Sequence, residues 1–256
     1  MRFLMAAALV VALLGSMDDA AAQAPAAGRA SASQAAAPKA VVELFTSQGC
    51  SSCPAADELL GRLAQRDDII ALSFSVDVWD YLGWHDTLAS PKFTERQRTY
   101  ARNRGNGSVY TPQAVINGMV DVNGANESEI SRAIEKTSKA IAPMAVPIHL
   151  TQEDGKLVIE ADAAASGTQP KDATLWLAAI ARSVDVNIQR GENQGRTVTY
   201  NNVVRELIPI GMWNGKHMTV RLPRDSFMRP GTERCAVLLQ QGKAGPIVGA
   251  ALLARF

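Results

Sequence analysis

Two cysteines separated by two serines are the residues of this chain best suited to chemistry. Cys50 and Cys53 follow the apolar run at residues 40–46 and precede a segment with helical periodicity. A thiolate at the exposed start of a helix faces unpaired backbone N–H groups and the positive end of the helix dipole, and both favour the charged nucleophile. A second sulfur three residues later can resolve a mixed disulfide. The motif therefore predicts dithiol–disulfide exchange, with Cys50 as the attacking thiolate and Cys53 as the resolving thiol.

Two other uses of these cysteines stay open. The pair could form an inert structural disulfide, although so short a loop adds little stability. It could also help to bind a metal, but zinc usually takes four ligands, and the three histidines are scattered at His85, His149 and His217. His85 lies nearest to the motif and keeps a copper site open as a minor alternative. The favoured interpretation has no metal and no cofactor.

The N-terminal segment predicts export. Residues 1–22 contain a basic start, an apolar run and a small-residue stretch, which are the three parts of a cleavable secretory signal. The apolar run is short for a permanent span, so we expect cleavage after Ala22, or else after Ala24, and no membrane insertion afterwards, with a retained anchor as the alternative. Residues 23–39 hold mainly Ala, Ser, Pro, Gly and Gln and predict a disordered linker. The mature protein is expected to be periplasmic or secreted.

Charge and length limit the partners and the number of domains. The chain has 26 Lys and Arg against 25 Asp and Glu, a formal net charge of +1, and the two signs are interspersed. We therefore expect no nucleic-acid partner. Residues 40–256 are long enough for two modest hydrophobic cores.

Strand and helix patterns alternate in the first half of the mature chain. Apolar runs predict strands, and apolar residues at helical spacing predict helices. The order is strand, helix, strand, helix, strand, strand, helix, at residues 40–46, 53–66, 69–76, 90–102, 110–116, 119–122 and 127–141. This order is typical of an α/β thioredoxin-like domain, which we place at residues 40–143.

The pattern changes after Pro143. Seven short strand-like segments follow, with turn residues between them, and no helix is indicated. This spacing predicts a β-sandwich-like, β-rich domain over residues 144–256. Cys235 lies in an apolar strand and is expected to be a buried, unpaired thiol, with intermolecular pairing as the alternative.

Four segments carry a resemblance to a known family. They are residues 43–54 (ELFTSQGCSSCP), 76–84 (VDVWDYLGW), 110–113 (YTPQ) and 191–196 (GENQGR). In these segments the chain resembles the exported thioredoxin-like family known as domain of unknown function 1223. It departs from the usual sequence pattern of the family at Val78 and His85, neither of which lies within the cysteine motif. The family carries no established function, so the resemblance implies a fold and a site rather than a substrate.

The resemblance also implies roles for residues outside the motif. In thioredoxin-like folds a proline at this point is cis and packs beside the cysteines, which leaves the main chain of the preceding residue free to pair with a substrate. A cis Pro112 and substrate binding at Thr111 are therefore implied, and an ordinary trans proline opening a strand is the alternative. The loop at residues 191–196 is expected to be a plain polar turn between two strands. The resemblance leaves docking against the first domain, or contact with a ligand, as the alternative.

Two further groups are candidate site residues. Thioredoxins resemble this chain in placing an acidic residue on the strand before the cysteines, and a buried Glu43 could take the proton of Cys53. Strand parity leaves a solvent-facing or salt-bridged Glu43 equally open. Trp79, Tyr81 and Trp84 crowd one connection and predict a substrate-binding platform, although they could instead form a self-packed loop.

Together these features predict an exported thiol–disulfide oxidoreductase. Its partners would be a protein or small molecule that carries a thiol, together with a second partner that recycles the cysteine pair. The alternative is a non-catalytic binding protein on a thioredoxin scaffold, which holds a protein or a metal and keeps the disulfide as a structural element.

Overall fold

A computed structural model of the chain describes residues 37–105, 107–166 and 172–256. The predicted signal peptide at residues 1–22 lies outside the described residues, and so does the predicted linker up to residue 36. None of the helices in the described ranges is both long and apolar enough to cross a membrane.

The elements of the first half follow the predicted order. They are β1 (Ala40–Thr46), α1 (Pro54–Leu63), β2 (Ile69–Ser75), α2 (Pro91–Arg104), β3 (Gln113–Ile116), β4 (Val120–Asn123) and α3 (Glu127–Ile141). Local chemistry explains their ends. At α2, the Ser90 side chain accepts a hydrogen bond from the Lys92 N–H, Pro91 takes the first helical position, and Gly105 ends the helix at a φ of 78°.

The second half consists almost entirely of strands. They are β5 (Ile148–Glu153), β6 (Lys156–Ala161), β7 (Ala173–Asn187), β8 (Thr197–Trp213), β9 (Met218–Pro223), β10 (Arg234–Gln241) and β11 (Ile247–Leu253). β7 and β8 are long, at 15 and 17 residues, and they pair antiparallel as a hairpin. Residues 191–196 form the end of this hairpin.

The prediction of a thioredoxin-like α/β domain followed by a separate β-sandwich-like domain is wrong. One eight-stranded mixed sheet runs through both halves in the order β11-β10-β7-β8-β2-β1-β3-β4, and β5, β6 and β9 form a second sheet. The link is β8, which pairs parallel to β2 at Ser73 and Val203. This pairing covers an edge of β2 that would otherwise expose unpaired N–H and C=O groups. Periodicity predicts that a strand forms, but not which distant strand it pairs with.

Alternating side chains of β1 face two different hydrophobic cores. Val42 and Leu44 pack with apolar residues of α1 and α3. Val41 and Phe45 pack on the other face with Phe93 of α2 and with residues of β10 and β11. Because successive side chains of a strand point to opposite faces, the parity of β1 decides which of its polar residues can lie near α1.

Candidate functional site

Cys50 and Cys53 form a disulfide between β1 and α1. Cys53 is the N-cap residue of α1, and Pro54 occupies the first position of the helix. Cys53 is fully buried, whereas Cys50 keeps 4% of its surface exposed. Cys50 is therefore the sulfur that a partner reaches first. We call residues 47–53 the cysteine loop.

The start of α1 places a hydroxyl against the Cys50 sulfur. The Ser52 hydroxyl oxygen lies 3.4 Å from Cys50 Sγ, and because the disulfide sulfur carries no hydrogen, Ser52 is the donor. After reduction the same hydroxyl and the positive end of the helix dipole would favour a thiolate at Cys50. The local geometry can thus support an activated sulfur.

A buried carboxylate, which sequence reasoning missed, lies one helical turn after Cys53. Asp57 is 2% exposed, and its backbone N–H donates to the carbonyl oxygen of Cys53 at 3.0 Å. Neither oxygen of its carboxyl group has a hydrogen-bond partner in the described part of the chain. Burial raises the pKa of Asp57 to about 8, although the nearby Thr46 hydroxyl acts in the opposite direction. The helical spacing of Asp57 with Leu60, which also faces the sheet, was the available signal.

Asp57 belongs to a group of polar side chains beneath the cysteine loop. We call this group, which comprises Thr46, Asp57, Ser75, Asp86 and Tyr200, the buried polar cluster. The hydroxyl oxygens of Thr46 and Ser75 have no hydrogen-bond partner in the described ranges. Burial raises the pKa of Asp86 to about 6, and burial followed by the charges of Asp57 and Asp86 raises the pKa of Tyr200. The two carboxyl groups therefore sit in a common low-dielectric region.

Asp86 joins this cluster to the cysteine loop. Its carboxylate accepts hydrogen bonds from the backbone N–H groups of Gln48, at 2.8 Å, and Leu88, at 2.9 Å. The Gln48 side chain in turn accepts a hydrogen bond from Trp84 Nε1 at 2.7 Å. The backbone and the side chain of Gln48 are thus both held by residues of the connection that follows β2.

Glu43 adopts the salt-bridged orientation that the sequence left open. It is fully buried, its carboxylate pairs with Arg96 Nε at 2.7 Å, and it accepts a hydrogen bond from the Tyr100 hydroxyl. Burial by itself lowers the pKa of Arg96, but Glu43 and Tyr100 together favour the charged guanidinium, and the arginine pKa lies above its usual value. Since Arg96 and Tyr100 belong to α2, Glu43 faces the side of the sheet opposite to α1. The structure therefore brings Asp57, rather than Glu43, into the region behind Cys53.

The peptide bond between Thr111 and Pro112 is cis, as the resemblance implied. Gly124 lets this segment approach the start of α1. A Cβ atom at Gly124 would lie 3.1 Å from the Cβ of Pro112 and 3.3 Å from the Cβ of Ala56. The backbone N–H of Gly124 also donates to the Pro112 carbonyl at 3.0 Å. Pro112 and the first turn of α1 are therefore near neighbours.

The three predicted aromatic residues lie around the cysteine loop. A Cβ atom at Gly49 would be 3.0 Å from the Cβ of Trp79, and Trp79 Nε1 donates to the Thr111 hydroxyl at 2.7 Å. Tyr81 is 75% exposed, with its ring centroid 6.0 Å from that of Trp79. Trp84 is tied to the loop through Gln48. Tyr81 is thus the aromatic that faces solvent, while the two tryptophans also help to fix the loop.

The hairpin end at residues 191–196 docks on the cysteine loop. The side-chain amide of Asn193 donates to the carbonyl oxygens of Gln48 and Cys50, both at 2.9 Å. The Glu192 carboxylate accepts a hydrogen bond from the Ser51 N–H at 3.2 Å. The expectation of a plain polar turn is therefore wrong, and the alternative, docking against the first half of the chain, is what these contacts show.

The matching family model covers residues 41–240 and describes a protein of unknown function, DUF1223. The chain belongs to the DUF1223 family. All four segments on which the resemblance rested lie within the matched residues, and the docked hairpin end joins two of them in space.

A solved structure resembles this DUF1223 protein along most of its length. It is the X-ray crystal structure of a structural-genomics target from Agrobacterium tumefaciens, with 38% sequence identity and a TM-score of 0.75. The match covers 85% of this chain and 94% of the other. A comparison with curated proteins finds no match.

The remaining candidate ligands do not assemble into a metal centre. Within residues 37–105, 107–166 and 172–256, no three His, Cys, Asp or Glu side chains are arranged to hold a metal ion. His85 is exposed and pairs with Asp80 at 2.5 Å. Cys235 is free and fully buried, and burial raises its pKa to about 12. Such a thiol stays protonated and unreactive at neutral pH.

Proposed function

We propose that this protein is an exported thiol–disulfide oxidoreductase that uses the Cys50–Cys53 pair. The observation that carries the proposal is the disulfide at the N-terminus of α1, in which the fully buried Cys53 is paired with the more accessible Cys50. The hydrogen bond from the Ser52 hydroxyl to the Cys50 sulfur supports the proposal, because the hydroxyl would stabilise the thiolate form of Cys50.

The reaction is an exchange of one disulfide for another. The Cys50 thiolate attacks a partner disulfide, a Cys50–partner disulfide forms, and the first partner sulfur leaves as a thiolate. Cys53 then loses its proton and attacks Cys50 Sγ, which forms the Cys50–Cys53 disulfide and releases the second partner sulfur. The partner gains two electrons and takes up two protons. A thiol partner then reduces the Cys50–Cys53 disulfide and returns the pair to the dithiol. The reverse sequence oxidises a partner dithiol and leaves the cysteine pair reduced, so a disulfide partner must then oxidise the pair again.

Asp57 is the group that would accept the Cys53 proton. Cys53 is fully buried, so its thiol has no direct contact with bulk solvent. The unpaired Asp57 carboxyl group lies one turn along α1, and its pKa of about 8 is near the value at which a group both takes and returns protons at neutral pH. This assigns to Asp57 the part that sequence reasoning gave to Glu43.

Thr111 and the exposed aromatic Tyr81 would contact the partner. The main-chain N–H and C=O of Thr111 form no hydrogen bond within the described part of the chain. They are thus free to pair with an extended segment of a partner, beside Pro112. Tyr81 and the Trp79 ring next to it supply apolar surface with polar tips.

Turnover of the mature chain with a thiol-specific assay tests the proposal. Cys235→Ser serves as the reference background, because it removes the third thiol. The protein should reduce insulin or glutathione disulfide faster than the recycling thiol, dithiothreitol, does alone, and Cys50→Ser should lower the rate to that of dithiothreitol alone. Reduced Cys53→Ser, mixed with the disulfide after dithiothreitol is removed, should accumulate the mixed disulfide on Cys50. A rate in Cys50→Ser above that of dithiothreitol alone, or no such excess rate in the reference protein, would remove the proposal.

Export is the second part of the proposal and has its own test. The full chain should be processed after residue 22 or residue 24 and recovered outside the cytoplasm, as the signal-like segment predicts. N-terminal sequencing of protein recovered from fractionated cells measures this. An intact N-terminus in the cytoplasmic fraction would contradict it.

A structural disulfide in a binding protein is the second candidate. The observation that favours it is the low exposure of Cys50 under the docked hairpin end. In that case the pair would resist reduction by glutathione across the whole range that catalytic pairs occupy. The same turnover assay separates the two candidates.

A further inference from the structure

The hairpin end places a carboxylate beside the reactive cysteine. Asn193 is 2% exposed, and both hydrogen bonds from its amide go to main-chain carbonyls of the cysteine loop. This anchor fixes the position of the adjacent residue, Glu192. The Glu192 carboxylate accepts a hydrogen bond from the N–H of Ser51, the residue that follows Cys50. A negative charge is thus held about one residue away from the sulfur that would attack a partner.

The charge of Glu192 is not neutralised by an ion pair. No Lys, Arg or His in the described ranges lies within 4.0 Å of its carboxylate. The Arg196 guanidinium lies 3.5 Å from the Asn193 side-chain oxygen, and neither Arg196 nor Arg190 forms an ion pair within the described part of the chain. Glu192 is also exposed, so its field reaches any molecule that approaches Cys50 from solvent.

The other groups around the cysteine loop would favour the same sign of charge. Trp79 and Tyr81 present aromatic rings, whose faces attract cations. Asp80 adds a carboxylate, one oxygen of which lies 2.5 Å from His85 Nδ1. The connection that follows β2 thus contributes two aromatic rings and one paired carboxylate near the loop.

We propose that Glu192 makes Cys50 selective for disulfides that carry a positive charge next to the reacting sulfur. The inference rests on the proposed thiol–disulfide exchange and names its substrate class. A cationic partner is attracted to the carboxylate as the Cys50 thiolate attacks its sulfur, the partner S–S bond breaks, and the leaving thiolate carries off the electron pair. An anionic partner is repelled by the same charge at the same step. Protein segments with Lys or Arg beside a cysteine are the natural form of such a partner.

Two small disulfides of opposite charge test the selectivity. Reduced protein in the Cys235→Ser background is mixed with cystamine or with dithiodipropionate, and the oxidation rate is followed by stopped-flow tryptophan fluorescence. Since the intrinsic reactivities of the two probes differ, the measured quantity is the cystamine to dithiodipropionate rate ratio in each variant. Glu192→Gln should lower this ratio about three- to tenfold at low ionic strength. Raising the salt to about 0.5 M should reduce the difference between the proteins. Glu192→Lys should lower the ratio further.

Asp185→Asn is the matched control. Asp185 is an exposed residue of the same hairpin, and its carboxylate accepts a hydrogen bond from the Thr199 hydroxyl at 2.6 Å rather than from the cysteine loop. The substitution therefore removes one negative charge, as Glu192→Gln does. Its rate ratio should equal that of the parent protein. An equal ratio in Glu192→Gln and the parent would overturn the selectivity and leave the oxidoreductase function standing. If neither probe oxidises the cysteine pair of the parent, the proposed function itself fails.

Discussion

The side-chain nitrogen of Asn193 lies 2.9 Å from the carbonyl oxygen of Cys50, across 143 residues of sequence. This contact joins the β7–β8 hairpin to the cysteine loop. The candidate site therefore draws on both halves of the chain, and its integrity depends on the eight-stranded sheet that unites them. A truncation that kept only the first half would lose part of the site.

Asn193→Ala should destabilise the protein by about 1–3 kcal/mol, because it removes the side-chain donor to the buried Gln48 carbonyl and one of the two donors to the Cys50 carbonyl, which keeps only the Cys53 N–H. Urea unfolding of the oxidised protein measures the change. Gln194→Ala is the control, since Gln194 is exposed and should change the free energy of unfolding by less than about 0.5 kcal/mol. Equal free energies of unfolding for the two variants would show that the side-chain hydrogen bonds of Asn193 do not stabilise the fold.

Asp57→Asn should alter how stability depends on pH. The pKa of Asp57 is raised from 3.8 to about 8, so between these values the folded state keeps a proton that the unfolded chain has released. The stabilisation is complete below about pH 4 and is lost as the pH rises towards 8. Relative to the wild type, the variant should therefore become more stable as the pH rises, by a few kcal/mol in total.

Urea unfolding at intervals between pH 4 and 8 measures this difference. The exposed Asp67→Asn is the control, and it should follow the wild-type curve. Asp86, whose pKa is raised to about 6, titrates in both proteins and largely cancels in the comparison. A constant difference between Asp57→Asn and wild type would mean that Asp57 is ionised normally in the fold.

Ser52→Ala should raise the pKa of Cys50 in the reduced protein, because the hydroxyl that lies 3.4 Å from its sulfur no longer stabilises the thiolate. Alkylation of Cys50 by iodoacetamide at pH 7 should slow about two- to fivefold. Ser51→Ala is the matched control, one residue earlier, and its hydroxyl has no bond to the sulfur. If both variants alkylate at the parent rate, Ser52 has no part in activating Cys50.

Gly124→Ala should separate Pro112 from the start of α1. The added Cβ would meet Leu44 at 2.5 Å, Pro112 at 3.1 Å and Ala56 at 3.3 Å, so a neighbour must move. We expect a loss of roughly 1–3 kcal/mol in unfolding free energy. The rate of exchange at Cys50 should fall as well if Pro112 helps to seat the partner. Unchanged stability would show that the contact is loose.

Local signals in the sequence predicted more of this molecule than long-range ones. Apolar periodicity and the Ser90–Pro91 start predicted the order of elements up to residue 141, and the cysteine motif lies at a helix start as expected. No local sequence pattern indicates the pairing of Ser73 with Val203, so the prediction of two separate domains was wrong. The face on which Glu43 lies depends on strand parity, and the raised pKa of Asp57 depends on its burial in the fold, neither of which a single sequence fixes.

The reduction potential of the Cys50–Cys53 couple tests the central claim most directly. It should be measured on the mature chain carrying Cys235→Ser, by equilibration with glutathione or dithiothreitol buffers, together with the pKa of Cys50. We predict a reversible couple between about −120 and −270 mV and a reactive Cys50 thiolate near neutral pH. A couple well below about −300 mV with an unreactive Cys50 would show that the disulfide is structural and that the protein does not exchange thiols.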